Sequence, residues 1–146
     1  MAEILLLVCI GLVVYTYLGY GLVVWLLIRI RGKRPSAKTD ESYSPEVTLV
    51  VPAYNELSCL PAKITNSLGQ DYPRSKIRFL FVTEGSTDGS TEWIKAHYGQ
   101  EVEVLGGTER RGKVAAMNEA LKYVKTPIVI FTDANTQLNK EAIKNI

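Results

Sequence analysis

Hydrophobic and polar positions follow two regimes along the chain. From Ile4 to Ile28 the sequence runs for 25 residues without a formal charge. As a helix this stretch would reach about 38 Å at roughly 1.5 Å per residue, longer than the ~30 Å hydrocarbon core of a bilayer. After residue 45 the apolar residues come in short blocks instead. Val47 to Val51, Ile77 to Val82 and Ile128 to Phe131 are nearly continuous apolar runs, as in strands covered on both faces. Val102 and Val104 alternate with Glu101 and Glu103, which predicts a half-exposed edge strand. Between these blocks the spacing turns helical. Leu57, Leu60, Ile64 and Leu68 end at Gly69, a shorter helix is expected from about Ser90 to Tyr98 before Gly99, and Val114, Met117, Leu121 and Val124 precede Pro127. A last helix is expected to start near Lys140. The order βαβαβαβ predicts an α/β fold, a parallel sheet with helices on both faces. Right-handed crossovers and one reversal of winding would place the strands in the order 3-2-1-4, by analogy with doubly wound sheets.

Charge sharpens the first regime. Arg29, Arg31, Lys33 and Arg34 against Glu3 give the first 34 residues a net charge of +3, whereas residues 35–146 carry 13 basic and 14 acidic groups. A basic cluster after an apolar run marks the cytoplasmic side of a membrane span, so the remainder is expected in the cytosol. A cleaved signal peptide would need its basic residues ahead of the apolar run. The expected organisation is a transmembrane anchor with a basic stub (1–34), a polar linker bounded by proline (35–45) and a folded part (46–146). No basic patch remains in that part to suggest nucleic acid as a partner. Cys9 and Cys59 form no disulfide framework, and His97 has no second metal ligand at zinc spacing. In the order 3-2-1-4 the wholly apolar run Ile128 to Phe131 lies at an edge, which leads to the expectation that the chain is the N-terminal piece of a longer polypeptide.

In open parallel sheets ligands collect beyond the carboxyl ends of the strands. Those positions are polar here: Tyr54, Asn55 and Glu56 follow the first strand, Thr83, Glu84, Gly85 and Ser86 the second, and Thr132, Asp133, Ala134 and Asn135 the fourth. An aromatic face and several carboxylates on one edge suit a base, a ribose and a metal-bound diphosphate. Each also has a simpler reading. Asn55 or Ser58 begins a helix, Asp88 in GSTDGS serves a turn or N-cap, and Asp133 caps the last segment.

The segments VTLVVPAYNE, LGQDYP, FLFVTEGSTDGS, RRGKVAAMNEAL and IVIFTDANT together resemble the nucleotide-binding half of family 2 glycosyltransferases, over about residues 46–146. The resemblance implies a Rossmann-like GT-A parallel sheet, here incomplete. It also implies inverting transfer of a sugar from a nucleotide-diphosphate donor, assisted by Mg²⁺ or Mn²⁺, and the membrane span beside a cytosolic site adds the expectation of a polysaccharide or lipid-linked acceptor at the bilayer. Tyr54 matches the aromatic that stacks on the base, Glu56 the acid closing that motif, and Glu84 the acid that accepts an imide NH of a uracil-like base. Lys113 with Arg110 or Arg111 matches the basic element at a helix start that meets phosphate. Asp133 matches the first acid of the DxD motif that holds the metal, and Asn135 stands at its last position. Two positions depart from the pattern: Thr83 replaces the first acid before Glu84, and Asn135 brings an amide oxygen without charge.

The general base such transfer requires has no counterpart here and is expected beyond Ile146, so the 146 residues alone are expected to bind donor without efficient turnover. Two other classes compete. GTERRGK, residues 107–113, fits GxxxxGK, but Val114 stands where a P-loop NTPase needs Ser or Thr. Thr83, Asn135 and the missing base suit a membrane-tethered binding module without catalysis.

Overall fold

A computed structural model describes residues 1–32 and 43–146. It divides into two units, residues 1–40 and 41–146. Lys33, Arg34 and the expected linker as far as Ser42 lie outside the described residues.

The first unit is one helix, Ala2–Arg31, assembled from α1 (Ala2–Val14), a π-helical turn (Tyr15–Gly19) and α2 (Tyr20–Arg31). It is long and apolar enough to cross a membrane. The π-helical turn has local causes. The Thr16 hydroxyl donates back to the Leu12 carbonyl at 2.8 Å, competing with the regular ladder. A Cβ at Gly19 would lie 2.8 Å from the Tyr15 ring, so the glycine makes room for that ring, whereas Gly11 and Gly21 face open space.

The second unit holds a four-stranded parallel sheet of β1 (Val47–Pro52), β2 (Ile77–Val82), β3 (Glu103–Leu105) and β4 (Ile128–Phe131) in the order β3-β2-β1-β4. Between the strands run α3 (Leu60–Leu68), α4 (Ser90–Tyr98) and α5 (Lys113–Leu121). Period-two alternation assigns the strand side chains to two cores. Val47, Leu49, Val51, Ile77, Phe79 and Phe81 pack with Leu60, Ile64 and Ile94 of α3 and α4. On the other face Val50, Leu80 and Val82 meet Ala116 and Ala120 of α5, where alanines let the helix approach closely. Burying each large apolar side chain contributes about 1.5–3 kcal/mol, which explains why β1 and β2 tolerate almost no polar residue.

The architecture matches the α/β expectation, with helices on both faces. Four boundaries differ, one being α5, which ends at Leu121 and leaves the expected helical position Val124 outside it. The helix expected from Leu57 starts at Leu60, because the Leu57 amide is engaged by Asp88 at 2.9 Å and the chain turns through Glu56 before winding. Val102 precedes β3. Near Lys140 there is no regular helix, only turns with a bond from Ala142 to Asn139 and another from Asn145 to Glu141. One i→i+4 bond does not offset the entropy of ordering a helical nucleus. At the other end of the unit, the Tyr72 hydroxyl donates to the Pro45 carbonyl at 2.5 Å and Lys76 to Ser44 at 2.9 Å, so the described end of the expected linker is tied to the sheet unit.

Candidate functional site

Because all four strands are parallel, their carboxyl ends open on one edge. The two central segments there are braced against each other. β1 continues from Pro52 into Ala53, whose amide donates to the Val82 carbonyl at 2.8 Å. Asn55 adopts a left-handed backbone (φ 52°), a conformation asparagine tolerates, and its Oδ1 accepts from the Thr87 amide at 2.8 Å. Asp88 joins the same two segments: Oδ2 accepts from the Leu57 amide at 2.9 Å, and Oδ1 from the Ser90 amide and hydroxyl at 3.1 and 2.5 Å. Burial works to raise the Asp88 pKa, but the Ser90 hydroxyl and the Leu57 and Ser90 amides outweigh it and hold the carboxyl below its ordinary value. The helix-capping position itself is Gly89, so Asp88 is a bracket between two strand ends rather than a simple cap.

A cavity of about 350 Å³ lies on this edge, within the size range of ligand pockets. Tyr54 and Glu56 from the β1 end, Glu84 from the β2 end, Arg110 and Lys113 from the start of α5, and Asp133 and Asn135 from the β4 end all line it. Pro52, Ala53, Val82, Gly112 and Ala116 complete the wall. Arg111 is not part of the lining but reaches it through Glu84. The eight residues nominated from the sequence, spread over 82 positions from Tyr54 to Asn135, therefore meet at one place.

The basic segment before α5 engages each neighbouring segment in turn. The Arg110 guanidinium lies 4.1 Å from the centre of the Tyr54 ring. Arg111 bonds Glu84 Oε1 at 2.6 Å, which raises the arginine pKa further, and it also approaches Glu119 at 3.7 Å. Lys113 Nζ meets Asp133 Oδ1 at 2.5 Å. Two glycines permit this arrangement. Gly85 (φ 70°) donates to the Gly107 carbonyl at 2.8 Å, and a Cβ there would lie 2.7 Å from the Arg110 backbone. Gly112 (φ 87°) turns the chain into α5. The three basic side chains go to three separate partners, unlike a loop that closes round phosphate as in the NTPase alternative.

Two buried carboxylate oxygens in the cavity wall, Glu56 Oε2 and Glu84 Oε2, have no hydrogen-bond partner among the described residues. The Glu84 side chain is only 8% exposed. An unpaired buried acceptor is costly, so these oxygens are suited to a ligand N–H or O–H. For a metal, no group of three or more His, Cys, Asp or Glu side chains occurs among the described residues. One carboxylate (Asp133) and one amide oxygen (Asn135) at the rim fit a hard cation that draws its remaining ligands from a diphosphate and water.

The sequence reasoning missed one buried group beneath the site. Lys63 lies within the buried stripe of Leu60, Ile64 and Ser67 on α3 and is 1% exposed. A lysine on the core-facing stripe of an amphipathic helix was the available signal.

Comparison with known proteins adds a family match, sequence relatives and similar solved structures. Residues 48–146 match the family "Glycosyl transferase family 2". The glycosyltransferase AglE of Haloferax volcanii is 30% identical over 93 residues, covering 62% of this chain and 31% of that protein. The poly-beta-1,6-N-acetyl-D-glucosamine synthase of Staphylococcus aureus is 27% identical over 112 residues, 76% of this chain and 26% of the synthase. Among solved structures, the mannosyltransferase PcManGT of Pyrobaculum calidifontis, in complex with GDP-Man and Mn²⁺, superposes with a TM-score of 0.75 at 34% identity, covering 89% of this chain and 39% of that one. The chain thus spans about a third of the length of the relatives it matches.

Proposed function

The chain belongs to Glycosyl transferase family 2, and from that premise we propose that residues 46–146 bind the nucleotide-diphosphate part of a sugar donor for inverting transfer to a polysaccharide or lipid-linked acceptor. The observation that carries this reading is the convergence of Tyr54, Glu84, Lys113 and Asp133 on one cavity at the strand ends. The GDP-Man and Mn²⁺ bound to PcManGT support a nucleotide sugar and a divalent cation as ligands.

Each side chain has a task that follows from its place. Tyr54 presents a ring, 39% exposed, on which a base stacks once the Arg110 guanidinium moves aside. Glu84 offers its free Oε2 to an N–H of the base edge, while Arg111 holds Oε1 and so orients the carboxylate. Arg110 and Lys113, released from Tyr54 and Asp133, face the diphosphate at the first turn of α5, where backbone amides point outward. Asp133 and Asn135 would hold the divalent cation, which when bound supplies Lewis-acid neutralisation of the leaving diphosphate. The proton of the acceptor hydroxyl needs a base that these residues do not provide.

The helix Ala2–Arg31 is read as a membrane anchor, with Arg29 and Arg31 at its cytosolic end and the donor site in the cytosol. Calorimetry of the full chain in detergent with GDP or UDP, each with MnCl₂, tests the donor reading. Binding of either, lost in Glu84→Ala, is the expected result; no heat with both at millimolar nucleotide would sink it.

A further inference from the structure

Beneath the turn that carries Asp133 and Asn135 lies a positive charge with no role in the scheme above. Lys63 is 1% exposed and packed between Leu60 and Ile64. Its ammonium donates to Thr132 Oγ1 at 2.8 Å and to the Thr136 carbonyl at 2.8 Å, the two ends of the turn. The same residues are tied to each other. The two threonine hydroxyls lie 3.1 Å apart, the Thr136 hydroxyl donates to the Asp133 carbonyl at 2.9 Å, and the Thr132 amide donates to Val50 of β1 at 3.1 Å. The Lys63 ammonium thus bonds a hydroxyl and a backbone carbonyl, neither of them charged.

A buried ammonium gives up hydration that neutral hydrogen-bond partners replace incompletely, and an apolar side chain of similar length would fill the same space at lower cost. Consistent with this, burial lowers the Lys63 pKa, and the nearby Asp133 charge opposes that shift. The charge is therefore retained against the preference of the core around it, and its hydrogen bonds all lead to the one turn that reaches the cavity rim at Asp133 and Asn135.

We propose that Lys63 is a positioning residue that clamps the Thr132–Thr136 turn from below, so that the Asp133 carboxylate and the Asn135 amide are held where they would ligate a divalent cation. This rests on the donor-binding reading. The proposal has a definite sign. As a point charge alone, Lys63 would repel a cation at Asp133, and neutralising it would tighten metal binding. As a clamp, its removal loosens metal binding.

The test uses the full chain in detergent, with two measurements on each variant: Mn²⁺ affinity in the presence of GDP or UDP, by electron paramagnetic resonance, and affinity for the matching nucleoside without metal, by calorimetry. Lys63→Met keeps the length and removes charge and donors. Thr132→Val removes one acceptor and leaves the charge in place. Supporting the loss of a group that orients metal ligands, Lys63→Met should weaken Mn²⁺ binding by about tenfold and Thr132→Val by about threefold, with nucleoside affinity unchanged within about twofold. Combining the two should be no worse than Lys63→Met alone, because both cut the same link. Unchanged or tighter Mn²⁺ binding in Lys63→Met, or a parallel loss of nucleoside and Mn²⁺, overturns the proposal. If Lys63→Met fails to fold, Thr132→Val decides alone: the same selective loss supports the clamp and unaltered Mn²⁺ affinity refutes it. A wild-type chain that binds neither nucleotide with Mn²⁺ defeats the donor reading and this inference together, whereas failure of the variants on a wild type that binds defeats only the inference.

Discussion

The two walls of the cavity are held by different interactions. On the side of β1 and β2, Ala53, Asn55, Leu57 and Asp88 are joined by hydrogen bonds from one strand end to the other, each involving a backbone amide. On the side of α5 and β4, the visible links are contacts of charged side chains: Lys113 with Asp133, both more than half exposed, and Arg110 over Tyr54. Bonds to backbone keep their geometry with or without a ligand, while exposed ion pairs contribute about 0–1 kcal/mol and exchange readily for a better partner. The β1–β2 wall, proposed to face the base, is thus preorganised, and the α5–β4 wall, proposed to face the diphosphate, is held by contacts that charged ligand groups can replace. Buried links on the second wall run from the Thr132 amide to Val50 and from the Lys63 ammonium to Thr132 and Thr136.

The largest effect that separates the walls is expected from Asp133→Ala, which removes the one carboxylate of its turn. Mn²⁺-dependent nucleotide binding should fall by roughly 100-fold, equivalent to about 2.7 kcal/mol, with metal-free nucleoside affinity unchanged. Tyr54→Ala should show the converse, a loss of about tenfold for nucleoside and nucleotide alike, on the scale of one base stack. Equal loss of both ligands in the two variants, measured by calorimetry, would erase the distinction between the walls.

Next in size is the brace itself. Asp88→Ala should lower unfolding free energy by about 1–2 kcal/mol in chemical denaturation, as for loss of a side chain that satisfies helix-start amides. The pH dependence has a fixed sign. The folded Asp88 pKa lies below its unfolded value, so its stabilisation is fully present above the unfolded pKa of about 3.9 and is lost as pH falls through the folded value. The wild type should therefore lose more stability than Asp88→Asn as acid is added below about pH 4. Parallel acid titrations of the two proteins would remove Asp88 from the account. The smallest effect is expected from Lys113→Met: stability within about 0.5 kcal/mol of wild type, because both partners of its ion pair are exposed, with weakened binding of the diphosphate. A large stability loss in that variant would mean that the phosphate side is built as firmly as the base side.

Much of this organisation was legible in the chain. β1, β2 and β4 stand out as nearly continuous apolar runs, although β4, at the sheet edge, is only partly buried and ends at the exposed Phe131, and α5 stands out because only one stripe of it meets the sheet. Where reading failed, a tertiary contact had overridden the local pattern. Leu57 fits the helical stripe, yet its amide is taken by Asp88, 31 residues away, and α3 begins three residues later. The segment after Lys140 has helical composition but only one bond of helical span. At the site, residue identities and their places at strand ends were readable, since a parallel sheet puts all those ends on one edge. Lys63 was not, because its hydrogen-bond partners, Thr132 and Thr136, lie 69 and 73 residues along the chain.

By itself the sequence determined the kind of molecule: an apolar helix of membrane-crossing length, a parallel α/β sheet, and an aromatic, acidic and basic set of side chains where such a sheet binds ligands. Periodicity and side-chain chemistry are local properties, and they survive without coordinates. Only the tertiary structure decided which arginine faces Tyr54 and which holds Glu84, that Lys113 meets Asp133, and that a lysine is buried beneath the Thr132–Thr136 turn. Those pairings depend on distances of a few ångströms between segments far apart in the chain, and such distances exist only once the sheet has brought its strand ends together.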